Sequence, residues 1–64
     1  MTPLEYWSTR ETFFRNERRI SLAMARRTGD RRWVLQARTE LTRELEAAAA
    51  ANAERDLEKA LFAA

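Results

Sequence analysis

The chain has 64 residues, with no cysteine, no histidine, one glycine, one proline, and twelve basic residues against ten acidic ones. That length holds a single domain, residues 1–64, which on folding buries only roughly 60% of the surface its unfolded chain exposes. The missing cysteines and histidines exclude a disulfide staple, a thiolate metal site and the commonest transition-metal ligand.

Thr2 reads as a helix N-cap. Pro3 follows at the first helical position, where its missing N–H costs nothing, and Glu5 is placed to complete a capping box. No breaker follows before Arg27, so a first helix is expected over about 3–27. Tyr6, Phe13 and Ile20 stand seven apart, Trp7 and Phe14 widen that stripe, and Met24 continues it. This is helical periodicity with a broad apolar face, and it predicts these residues as core. Glu11 precedes Arg15 by four, the favourable order for a surface ion pair.

Gly29 is suited to the left-handed conformation that ends a helix, and Asp30 to capping the next one. The second helix is expected over about 31–62, with apolar positions Val34, Ala37, Leu41, Leu45 and Ala48, then Leu57 and Leu61. Asn52 is its one weak point, where the chain either continues or bends into a short third helix.

A turn this short makes the two helices antiparallel neighbours, an all-α helical hairpin. Pairing residues about Gly29 sets Met24 against Val34, Ile20 against Ala37 or Arg38, and Phe13 and Phe14 against Leu45 or its neighbours. Tyr6 and Trp7 then lie across from Ala47–Ala51, so the alanine run reads as a packing floor for two aromatic rings. The helices differ in length, about 37 Å against about 48 Å at 1.5 Å per residue, so the end of the second overhangs. That overhang carries Leu57, Leu61 and Phe62, the expected partner-binding residues. A core this thin, with no disulfide or metal, is expected to be completed by oligomerisation or by docking on a larger assembly.

Catalysis has little to work with, and a non-enzymatic role is expected. No histidine or cysteine is present, and the carboxylates are expected on solvated helix faces. Glu40, Glu44, Glu54 and Glu58 form like-charge pairs four apart, but the histidine of a carboxylate metal site in a helical bundle is missing. A single glycine excludes a glycine-rich phosphate loop, so no cofactor is expected. One turn without a second copy excludes an array of helical repeats, which needs about three units. The expected function is therefore protein–protein assembly, as a homo-oligomer or as part of a larger complex.

A second reading concerns the tip, where Arg26, Arg27, Arg31 and Arg32 surround Asp30. Arg26 and Arg27 suit a helix C-terminus, whereas Arg31 and Arg32 sit unfavourably at a helix N-terminus. Their placement points to an anionic partner, nucleic acid or an acidic protein surface, in a small regulator or inhibitor. The N-terminus lacks the pattern of a secretory signal, and the longest uncharged run, 47–53, is far short of a membrane span of roughly 20 residues. A cytoplasmic location is expected, or a virion. Eleven arginines against one lysine, with abundant alanine, resemble GC-rich coding, which suggests a bacterium or an accessory protein of its phage.

Overall fold

The computed structural model describes residues 1–64, and two helices account for nearly all of them. Helix α1 is Pro3–Thr28 and helix α2 is Arg31–Ala63. They pack antiparallel along their length as a hairpin 53 Å long, 17 Å wide and 12 Å thick. The radius of gyration is 15.2 Å. A globule of the same length would have about 11 Å.

The local signals act as the residue types dictate. Thr2 is the N-cap of α1, and its Oγ1 accepts from the Glu5 N–H at 3.1 Å. Only this half of the capping box forms. Gly29 takes φ +70°, and its N–H donates to the Ala25 carbonyl at 2.8 Å, closing α1. Thr28 Oγ1 donates to the Met24 carbonyl and accepts from the Asp30 N–H, tying the turn to the last helical turn. Asp30 is the N-cap of α2, accepting from the Arg32 N–H at 2.9 Å. The helix runs unbroken through Asn52, so no third helix forms there. The Asn52 side-chain carbonyl accepts from Arg55 Nη1 at 2.7 Å, which keeps it from competing for the backbone.

The level at which residues pair is close to the expected one. Ser21 meets Glu40, and Arg15 and Arg18 meet Glu44, so residue numbers at one level add to about 60, against 58 for a pivot on Gly29. The rotation of the helices about their axes differs from expectation. The buried residues of α2 are Ala37, Glu40, Glu44, Ala47 and Ala51, spaced three and four apart. The only buried residue of α1 is Ser21. Tyr6, Phe13, Ile20, Val34, Leu41 and Leu45, expected as core, stand exposed.

The reason is geometric. Two helices share a single line of contact, so only a narrow seam of each is covered. Alanines on that seam let the backbones come close, and bulkier neighbours are pushed to the flanks. Within the alanine run the buried floor residues are Ala47 and Ala51; Trp7, part-buried, lies nearest the level of Ala51, while Tyr6 is turned outward.

Candidate interaction surfaces

The seam is polar in its middle, between Ala37 and Ala47, where a larger domain would be apolar. The Ser21 hydroxyl donates to Glu40 Oε1, and both residues are buried. One turn on, Glu44 accepts from Arg18 Nε at 2.8 Å and from Arg15 Nε at 3.2 Å. Arg15 also reaches the Glu11 carboxylate at 2.7 Å, the ion pair expected from their spacing. The expectation that Glu40 and Glu44 lie on a solvated face is therefore corrected: both are buried because Ser21, Arg15 and Arg18 on α1 supply their partners. No buried side-chain polar atom lacks a partner. Hydrogen bonding to Arg18, opposed by burial and reinforced by Arg15, holds the Glu44 carboxyl below its ordinary range. The same bond raises the Arg18 guanidinium further above its already high value.

The seam separates two flanks. Residues 20 and 22 lie on either side of Ser21, about 200° apart around α1. One flank carries Tyr6, Phe13 and Ile20 of α1. Arg10 lies over the Tyr6 ring at 5.5 Å and over the Phe14 ring at 5.1 Å. Arg43 of α2 reaches the Phe14 ring from the same side at 5.9 Å. Tyr6 and Trp7 meet edge-on, as do Phe13 and Phe14, so each outward ring is braced by one that points toward the seam.

The opposite flank is a shallow groove lined by Arg18 and Leu22 of α1 and by Val34, Ala37, Arg38 and Leu41 of α2. Leu45 continues this ridge by one helical turn. The exposed apolar ridges of the two flanks, Tyr6, Phe13 and Ile20 on one and Val34, Leu41 and Leu45 on the other, thus belong to different helices and lie on opposite sides of the seam.

The expected partner residues lie where α2 outruns α1. Leu57 and Leu61 are exposed and four apart, so they share a face, whereas Phe62 is turned about 100° from Leu61 and is 91% exposed. At the tip, Arg26 and Arg27 are exposed in the last turn of α1. Arg31 and Arg32 part company. Arg32 clamps the Asp30 carboxylate through Nε and Nη2, at 3.0 and 2.8 Å, and its own N–H completes the cap. Its position therefore has a structural explanation that the sequence did not suggest. These bonds also hold the Asp30 carboxyl below its ordinary range. Arg26, Arg27 and Arg31 make no ion pair.

The flank residues Tyr6, Phe13, Ile20, Val34, Leu41 and Leu45 are interaction candidates that sequence reasoning assigned to the core. The alternation of three and four through Ala37, Glu40, Glu44, Ala47 and Ala51 marks the true seam, but only to a reader willing to place glutamates inside. No group of three or more carboxylates is arranged to hold a metal ion, and no helix is long and apolar enough to cross a membrane. Comparison with protein-family models, with curated proteins and with solved structures yields no match in any of the three.

Proposed function

We propose that this hairpin is a non-enzymatic protein–protein interaction subunit, working by association with a second copy or by docking on a larger assembly such as a phage particle. One observation carries the reading. Eleven large apolar side chains stand exposed and no large side chain is fully buried. Ordinary monomers rarely expose contiguous apolar patches beyond a few hundred Å². Here nine of the eleven, all but Met1 and Leu35, form two ordered flanks and a helical extension, the arrangement by which amphipathic helices recognise partners.

The test is site-specific photo-cross-linking in cells that make the protein. A cross-linking residue at Phe13, Leu41 or Leu57 is expected to give adducts of discrete mass, and one at the exposed Thr42 none. Absence of adducts from all three apolar positions would overturn the proposal.

A second reading is favoured by the free cations of the tip. With Asp30 engaged by Arg32, the guanidinium groups of Arg26, Arg27 and Arg31 are available to an anionic partner, nucleic acid or an acidic protein surface. Binding to duplex DNA that weakens steeply with salt, and that is lost when these three are changed to Gln, supports it. No binding at low ionic strength removes the nucleic-acid form of this reading.

A further inference from the structure

We infer that the partner of the Tyr6–Phe13–Ile20 flank is a second copy of the chain, lying antiparallel to the first across a two-fold axis at Phe13. This rests on the interaction reading above and specifies its partner.

Three observations converge on it. The first is area. The hairpin exposes 5,099 Å². Folded monomers of 7.5 kDa expose roughly 4,200 Å² by the scaling of surface with mass. The excess of about 900 Å² is close to the roughly 800 Å² that each partner contributes to a stable protein–protein interface.

The second is self-complementarity of the stripe. Tyr6 and Ile20 stand equally far, seven residues, on either side of Phe13. An antiparallel pairing of α1 with its own copy therefore sets Phe13 against Phe13 and Tyr6 against Ile20, twice. An interface between identical surfaces requires such a symmetric pattern. Arg10 and Glu17 lie on the same flank, three before and four after Phe13, so the pairing also sets each Arg10 beside the other copy's Glu17.

The third is the long-range charge pattern. The tip half, residues 15–45, holds nine arginines against Glu17, Asp30, Glu40 and Glu44, a net charge of +5. The remaining residues hold Arg10, Arg55 and Lys59 against six carboxylates, a net charge of −3. Phe13 is level with Ala47, the middle residue of α2, so the axis at Phe13 bisects the hairpin lengthwise. Two copies then overlap along their whole length, with each basic tip beside the other's acidic end. Side-by-side pairing in the same direction would set tip against tip. The extension carrying Leu57 and Leu61 would lie at the level of the end of the other copy's α1, near Met24 and Arg27.

The absence of cysteine makes the test clean. Sedimentation equilibrium of the whole chain is expected to show a dimer that Phe13→Glu converts to monomer and that Leu41→Glu, on the other flank, leaves intact. Under mild oxidation Phe13→Cys is expected to cross-link to itself. Tyr6→Cys alone is expected not to, while a mixture of Tyr6→Cys with Ile20→Cys gives the mixed product. Arg10→Glu is expected to weaken the dimer and the exchanged pair R10E/E17R to restore it.

A wild-type chain that stays monomeric at the highest soluble concentration overturns the inference, as does self-cross-linking of Tyr6→Cys as fast as that of Phe13→Cys. If such a monomer still gives a photo-adduct from Phe13 with a different polypeptide, the second copy is excluded and the interaction reading survives. A monomer without adducts removes both.

Discussion

Ser21 donates a hydrogen bond to Glu40 across the seam, and both residues are buried, so the hairpin is fastened by a polar pair where two apolar side chains would ordinarily meet. Removing one partner strands the other. Ser21→Ala leaves a buried carboxylate short of its donor and is expected to cost about 1–3 kcal/mol. The double change Ser21→Ala with Glu40→Leu replaces the pair with packed apolar atoms and is expected to match or exceed wild-type stability. Urea denaturation followed by circular dichroism measures both, and a double variant less stable than Ser21→Ala alone would show the pair to be worth more than a packed seam.

Acid should loosen the hairpin through Glu44. Its carboxyl titrates below the ordinary glutamate value of 4.5 because it accepts from Arg18 and Arg15. As pH falls, the unfolded chain takes up the proton first, so the contribution is complete above pH 4.5 and is lost as pH drops through the lower folded value. Asp30, held low by Arg32, acts in the same direction. Arg18 stays charged throughout this range. Thermal melts from pH 7 to pH 2 are expected to show stability falling below about pH 4.5, with a shallower fall in Glu44→Gln. Equal slopes in the two proteins would contradict this role for Glu44.

Gly29 tests the turn by itself. Its φ of +70° is left-handed, and beyond its two chain neighbours no heavy atom lies within 4 Å of where a Cβ would stand. Gly29→Ala should therefore carry only the backbone penalty of about 1–2 kcal/mol, and Gly29→Asn less. A larger loss for Ala, read from melting temperatures, would mean that the turn makes contacts beyond those seen here.

The alanines of the seam set how closely the helices approach. Ala51 is 0% exposed, while Ala49, two residues earlier, faces solvent. Ala51→Leu is expected to force the helices apart at a cost of about 1–3 kcal/mol, and Ala49→Leu to stay within about 0.5 kcal/mol of wild type. The pair of denaturation curves checks the rotation of α2 directly, because the expected packing floor of Ala47–Ala51 did not separate the two alanines, whereas the seam buries only Ala51 of the pair.

Much of the fold was legible in the residue order because the deciding signals are local. Thr2, Pro3, Gly29 and Asp30 each act through their own backbone, and they fixed both helices to within a residue or so. Which face of each helix points inward was not legible from size. Tyr6, Phe13 and Ile20 have the spacing of a core stripe, yet one line of contact between two helices leaves room for alanine, serine and paired carboxylates instead. Glu44 is acceptable there only because Arg15 and Arg18 stand across from it, a relation between residues 26 and 29 positions apart that no local window contains. Arg32 was misread for the opposite reason. Its unfavourable place at a helix N-terminus was plain, but its reach back to Asp30 depends on a side-chain conformation.

The groove of Leu22, Val34 and Leu41 lies on the side of the seam away from Phe13. A pair of chains joined at Phe13 would therefore keep that groove open twice, once on each member. Such a pair is bivalent. It can bridge two identical molecules, or hold one molecule that offers the same motif twice. In that setting a weak contact at each groove is multiplied by the effective concentration the first one creates, so modest apolar ridges suffice for firm attachment.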